Sequence, residues 1–206
     1  RFFLPVQEGY QDNSTSWGHD VEAAKKLLDG AGWVAGSDGV RAKDGTKLEL
    51  VMTIPSNAPV ATNEANLLQK QLGEVGIKLS VSTVEIDKYF PEYLNKKNYA
   101  LTAFTTENTQ YPLANVGQYY ASTSQSNYTG LSVPEVDEYV AKIGSTPDGA
   151  ERNKLANELD KLLWENVFSI PIYQRMQLTA VPKTLRNFGA QGLASFRPES
   201  IGYVKS

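Results

Sequence analysis

The stretch from Lys47 to Glu85, "KLELVMTIPSNAPVATNEANLLQKQLGEVGIKLSVSTVE", constrains this chain more than any other. Lys47–Ile54 is rich in residues that suit a pleated surface, and "IKLSVSTVE" alternates as a half-buried strand does. Between them, Ala65, Leu68, Leu72 and Val75 fall on one side of a helix over Thr62–Val75, which ends at Gly76. Strand, helix and strand with short loops form a βαβ unit. Its two strands should run parallel, joined by a right-handed crossover. The expected class is therefore α/β, with helices packed on the sheet.

The flanking sequence extends this frame. "HDVEAAKKLLDGAGW" predicts a helix capped by Asp20, with Val21, Ala24, Leu27, Leu28 and Ala31 on one face and Gly30 and Gly32 as its stop. In "GVRAKDGTKLEL", Asp44-Gly45 predicts a hairpin turn between a short strand near Val40 and the long one. A helix over Asp87–Lys97, with Pro91 tolerated only in its first turn, leads to a strand at Ala100–Thr106. Then come a short helix around Leu113–Tyr120 and helices over Pro134–Ile143 and Ala150–Val167. "FSIPIYQRMQLTAVP" reads as strand pieces broken by Pro171, and the tail from Asn187 is Gly-rich and weakly patterned.

Glu107 follows the Ala100–Thr106 strand and is a lone carboxylate among threonines, amides and tyrosines. In open α/β sheets, ligands bind beyond the carboxyl ends of strands. Two readings stand side by side at this point: a recognition loop in which one charge meets a ligand, and a solvated loop whose acid caps a helix or pairs with a lysine.

Composition excludes several functions. A net charge of −3 and a pI near 5.3 argue against nucleic acid. No window approaches the run of about eighteen apolar residues that a membrane span needs. With no cysteine there are no disulfides, thiolate metal sites or cysteine nucleophile. His19 is the only histidine and directly precedes a helix cap, so a serine hydrolase has no other imidazole base. No Gly-x-Ser-x-Gly or Gly-x-x-x-x-Gly-Lys run occurs, and "GAGWVAG" follows a helix with the wrong spacing for a dinucleotide loop. No cofactor or metal is expected. A carboxylate-based hydrolase remains the enzymatic alternative, through Glu49, Glu85 and Glu107 on or near strands. Asn13-Ser14-Thr15 and Asn127-Tyr128-Thr129 match glycosylation sequons, which arise often by chance.

Five stretches resemble one family, the extracytoplasmic solute-binding proteins of peptide and nickel ABC transporters. They are "DVEAAKKLLDGAGW", "GVRAKDGTKLELVMTIP", "ANLLQKQLGEVGIKLSVSTVEIDKY", "QSNYTGLSVPEVDEYV" and "LLWENVFSIPIYQ", in family order across nearly the whole chain. The resemblance implies one lobe of a periplasmic-binding-protein type II-like clamp, with a mixed sheet, a parallel βαβ unit and flanking helices. It covers the carboxy-terminal part of a family member. Residues 1–206 are thus expected to form a single C-terminal α/β lobe whose N-terminal lobe is absent, with 1–18 as the crossing segment between lobes and 187–206 as a tail. The start, "RFFLPVQEGYQDN", reads as mid-protein sequence without a signal-peptide layout.

The resemblance also implies a function without catalysis. A peptide or other small solute is captured between two lobes and delivered to ABC permease subunits in the membrane, outside the cytoplasm, by a protein that is free in the periplasm or lipid-anchored at the cell surface. In peptide-binding members a Trp-x-x-Asp strand bonds the ligand backbone, and its Asp pairs with the peptide's α-ammonium. The matching residues here are Phe104, Thr105, Thr106 and Glu107, with Asn108, Gln110, Tyr111, Asn127 and Tyr128 as pocket residues. Glu replaces Asp, Phe replaces Trp, and the family's Asp-Tyr-Pro-Asp-Pro run is one acid poorer. A nickel chelate, an opine or an oligosaccharide therefore stands as the alternative ligand, and a sensor-type interaction module as the alternative role.

Overall fold

The structure, a computed structural model, describes residues 1–106, 109–175, 178–190, 195 and 197–204. The chain divides into two compact units: residues 14–106 with 125–130, and residues 1–13 with 107–124 and 131–206.

The first of these opens with α1 (Val21–Gly30). Asp20 caps it, its Oδ1 accepting from the Ala23 N–H at 2.8 Å. At the other end Gly32 takes a left-handed φ of 84°, so the Gly32 and Trp33 N–H groups turn back to the Asp29 and Leu28 carbonyls. The caps are as expected. The apolar face is not buried: Leu27 is 75% exposed and no residue of α1 is fully covered. Periodicity marks a face but does not say what covers it.

Strands β1 (Val34–Ala35), β2 (Arg41–Lys43) and β3 (Thr46–Lys47) form a small antiparallel sheet. The β2–β3 turn is Asp44-Gly45, both with positive φ, in the primed geometry that suits a twisted hairpin. Arg41, though charged, is buried. Its guanidinium donates to the Val75 carbonyl at 2.8 Å, to the Trp33 carbonyl at 2.6 Å and to Asp29.

Next come β4 (Glu49–Pro55), α2 (Pro59–Glu74) and β5 (Lys78–Val84). β4 and β5 are parallel neighbours, in register from Glu49↔Lys78 to Pro55↔Val84, as the βαβ pattern requires. α2 starts three residues before the expected Thr62, because Pro59 at the first helical position has its φ preset. Ala65 is fully buried against Met52, Ile54 and Leu79, and Leu68 and Leu72 pack beside them.

The regular helix expected over Asp87–Lys97 does not form. α3 (Ile86–Lys88) passes into a π-helical turn over Tyr89–Leu94, with Asn95 and Asn98 donating to the Phe90 and Tyr93 carbonyls. Pro91 has no N–H for the ordinary bond, so the turn widens by one residue. β6 (Leu101–Thr102) then pairs parallel with β4, giving the sheet order β5-β4-β6. It is shorter than the expected Ala100–Thr106. Parallel and antiparallel pairing thus occupy separate sheets.

The other unit holds α4 (Val116–Tyr120), α5 (Pro134–Ser145) and α6 (Gly149–Glu165). Pro134 opens α5, and Asp148 caps α6 by accepting from the Glu151 N–H at 2.8 Å. Val116, Val136, Ile143, Ala156, Leu159, Leu163 and Phe168 form its core together with Phe2 and Phe3. Two residues of the 1–18 segment are therefore core residues. Beside them, Asp160 accepts from Arg1 at 2.9 Å and from Asn13 Nδ2 at 2.8 Å. Among the described residues, "FSIPIYQRMQLTAVP" contains no strand, and Ile170, Ile172 and Leu178 are exposed. A strand needs a partner ladder, and among the described residues no strand pairs with this segment. The pairing in this region is instead β7 (Leu185–Arg186) with β8 (Gly202–Tyr203), antiparallel.

Candidate functional site

The carboxyl end of β6 is where sequence and structure converge. Thr102, its last paired residue, donates through Oγ1 to the Thr53 carbonyl of β4 at 2.9 Å. The Tyr89 hydroxyl lies 2.6 Å from that Oγ1 and 2.8 Å from the Ala103 carbonyl. Tyr89 is 2% exposed, and burial pushes its hydroxyl pKa up, so it stays protonated as a donor. Past Ala103 the chain leaves the sheet. Phe104 is 41% exposed, and Thr105 and Thr106 are exposed. Among the described residues, nothing hydrogen-bonds the backbone of Thr105 or Thr106.

The Phe104 ring meets the Tyr128 ring edge to face, with centroids 5.2 Å apart. Tyr128 is itself anchored, since the Tyr99 hydroxyl donates to its carbonyl. Its neighbour Asn127 is 1% exposed. The Asn127 side-chain oxygen accepts from the Thr129 hydroxyl at 2.7 Å, and its carbonyl accepts from the Gly130 N–H at 3.1 Å. That pattern organises the turn that presents Tyr128. The site therefore offers exposed backbone, without hydrogen-bond partners among the described residues, beside a half-exposed aromatic pair, with neutral hydroxyl groups around it.

The expected site residues divide between the two units. Phe104, Thr105, Thr106, Asn127 and Tyr128 lie in the unit that carries the parallel sheet, and Phe104 meets Tyr128 there. Tyr111, 68% exposed, lies in the other, where its N–H donates to Thr109 Oγ1 at 3.1 Å. Glu107 and Asn108 lie outside the described residues. Tyr89, Tyr99 and Thr102 were not among the expected site residues. In sequence they read as a core aromatic, a helix-end aromatic and a strand threonine, and no spacing marks them as a set.

Of the acids suggested for a hydrolase, Glu107 lies outside the described residues, and Glu49 and Glu85 do not assemble. Glu49 opens β4 and Glu85 follows β5, so in a parallel pair they stand at opposite edges of the sheet, roughly 20 Å apart. A glycosidase pair requires about 5–9.5 Å. Each is instead paired with a lysine, Glu49 with Lys78 at 3.1 Å and Glu85 with Lys88 at 2.6 Å. The hydrogen bond from Lys88 holds the Glu85 carboxyl below its usual range, the wrong direction for a general acid. Among the described residues no cluster of His, Cys, Asp or Glu could hold a metal ion, and no helix is long and apolar enough to cross a membrane.

Known proteins resemble this chain in sequence and in fold. The family described as "Bacterial extracellular solute-binding proteins, family 5 Middle" matches residues 2–130. The oligopeptide-binding protein OppA of Mycobacterium tuberculosis is 32% identical over 203 residues, which are 98% of this chain and 34% of that protein. The structure of the periplasmic EDTA-binding protein EppA matches with a TM-score of 0.72 at 27% identity, over 84% of this chain and 33% of its own. A periplasmic oligopeptide-binding protein of Thermotoga maritima, bound to mannohexaose, matches with a TM-score of 0.71 at 22% identity, over 82% of this chain and 34% of its own. The fold is the α/β fold of type II periplasmic binding proteins. The chain spans about a third of the length of these relatives. It belongs to the bacterial extracellular solute-binding proteins of family 5.

Proposed function

We propose that this chain is the carboxy-terminal lobe of the solute-binding component of an ABC importer, and that it captures peptides without transforming them. The observation that carries this reading is the exposed backbone of Thr105 and Thr106 at the carboxyl edge of the sheet, which has no hydrogen-bond partner among the described residues, beside Phe104 and Tyr128. An extended peptide adds to such an edge as a further strand, so its affinity comes from main-chain bonds and tolerates varied side chains. Glu107 follows directly in sequence and supplies the one charge, for the peptide's α-ammonium group. In a dry cleft a charge-assisted bond of that kind contributes about 1.5–3 kcal/mol. The N-terminal lobe closes over the ligand, and the permease in the membrane recognises the closed clamp. The protein works outside the cytoplasm, in the periplasm or lipid-anchored at the cell surface.

A second reading takes an oligosaccharide as ligand. The Phe104–Tyr128 pair and the surrounding hydroxyls favour it, because sugar faces stack on rings and their hydroxyls need neutral partners.

Calorimetry on the full-length protein separates these readings, with penta-alanine, N-acetyl-penta-alanine, mannohexaose and EDTA as probes. Penta-alanine should bind, and acetylation or Glu107→Gln should weaken it by about ten- to a hundred-fold. Equal affinity for the free and acetylated peptides would remove the ammonium role from Glu107. Binding of mannohexaose or EDTA without penta-alanine would overturn the peptide reading.

A further inference from the structure

We propose that Tyr89 and Tyr99 are positioning residues for ligand binding: from one connection, between β5 and β6, their hydroxyls hold the backbone on both sides of the Phe104–Tyr128 pair. The inference rests on reading this edge as the ligand-binding strand.

Counting hydrogens shows how the Tyr89 side can be tied. Tyr89 and Thr102 have one hydroxyl hydrogen each. Three short contacts use them: 2.6 Å between the two oxygens, 2.8 Å from Tyr89 to the Ala103 carbonyl, and 2.9 Å from Thr102 to the Thr53 carbonyl. The oxygen–oxygen contact requires one hydrogen, so the second serves a single carbonyl at a time. Thr53 lies within the paired sheet, whereas Ala103 is the first residue beyond the last pair of β6. When Tyr89 donates to Ala103, Thr102 donates to Tyr89, and the two hydroxyls then tie the last paired residue of β6 to the residue from which Phe104–Thr106 departs.

Tyr99 does the same for the opposite ring. Its hydroxyl donates to the Tyr128 carbonyl, while Asn127 and Gly130 close the turn beneath. Neither hydroxyl is in the exposed stretch itself. Their effect on a ligand is exerted through the direction of the strand and the attitude of the ring pair, as preorganisation of the binding edge.

The test uses the full-length protein and four variants: Tyr89→Phe, Tyr99→Phe, Thr102→Val and Thr102→Ser. Each Phe variant keeps the ring and loses only the hydroxyl. Tyr89→Phe and Thr102→Val should speed amide hydrogen exchange in peptides covering residues 101–106, and Tyr99→Phe in those covering 125–130. Each should weaken penta-alanine about three- to ten-fold, the loss of one hydrogen bond's ordering effect. Thr102→Ser retains the hydroxyl and should keep wild-type exchange and affinity. A lowered melting temperature with unchanged local exchange and unchanged affinity would mean that the hydroxyls are merely structural, and would overturn the proposal. If the wild type does not bind penta-alanine, the peptide reading falls. The exchange measurements then decide the positioning role alone, and unchanged exchange in 101–106 and 125–130 overturns it.

Discussion

The rings of Phe104 and Tyr128 meet nearly at right angles, with an interplanar angle of 86° and centroids 5.2 Å apart. One leaves the sheet after β6, and the other stands on the turn before Gly130. An edge-to-face pair contributes about 0.5–1.5 kcal/mol beyond the area it covers. A double-mutant cycle with Phe104→Leu and Tyr128→Leu, read by denaturant unfolding, should return a coupling of that size. Additive single effects would mean that the rings do not meet in solution.

Helix α2 supplies a graded test of phasing. Leu68 packs on the core with Ala65 and Met52, so Leu68→Asp should cost about 2–4 kcal/mol by placing a charge against apolar neighbours. Gln69 faces outward, yet its Nε2 donates to the Leu79 carbonyl at 2.6 Å. Gln69→Asp should therefore fall between Leu68→Asp and the exposed Lys70→Asp, which should be nearly silent. Melting temperatures check the order.

Arg41 joins the carboxyl ends of two helices. Trp33, just past α1, and Val75, just past α2, both give it their carbonyls, and Asp29 gives it a carboxylate. Positive charge at helix carboxyl ends is favourable, and a buried guanidinium needs every one of these partners. Arg41→Met should lower stability by about 1–3 kcal/mol, because it leaves the Val75 and Trp33 carbonyls without their donor while Asp29 stays solvated, and Arg41→Lys should not restore it, because an ammonium cannot span the same fork. Gly76→Ala should be damaging as well: φ there is 85°, and a Cβ would come within 2.7 Å of Arg41 Cγ. Chemical denaturation of the three variants tests the set.

Asp137 gives the fold an acid-dependent contact. Hydrogen bonds from the Ser122 side chain and, at 2.8 Å, from its backbone N–H hold the Asp137 carboxyl below its ordinary value of 3.8. A depressed carboxylate stabilises the fold above its unfolded pKa, and that contribution is lost as pH falls through the folded value. Asp137→Asn keeps an acceptor oxygen and removes the charge. The stability gap between wild type and variant should stay constant near neutrality and shrink below about pH 4. A gap that persists to pH 2 in pH-dependent melting would exclude the charge as its source.

Much of the fold was legible because it is local. Asp20 caps as its position before an apolar-periodic run predicts, and Asp44-Gly45 turns the hairpin because both residues tolerate positive φ. The face Ala65–Leu68–Leu72 points at the sheet because period 3.6 leaves no other face apolar. The site was legible only in outline. The exit of β6 was found, and Phe104 and Tyr128 were named, but their contact across intervening structure was not. Asn127 was named as a pocket residue, and the structure buries it under the turn.

The sequence by itself determined the cap of α1, the Asp44-Gly45 turn and the parallel βαβ order, since these depend on residues a few positions apart that a single turn or strand brings together. The tertiary structure alone decided the burial of Phe2 and Phe3 against α5 and α6, the bracket of Arg41 on two helix ends and the hydroxyl link from Tyr89 to Ala103. Each of these joins groups whose separation along the chain carries no periodic signal. A buried hydrogen bond or ring contact is set by where the backbone finally lies, and equal residues at the same spacing elsewhere would face water.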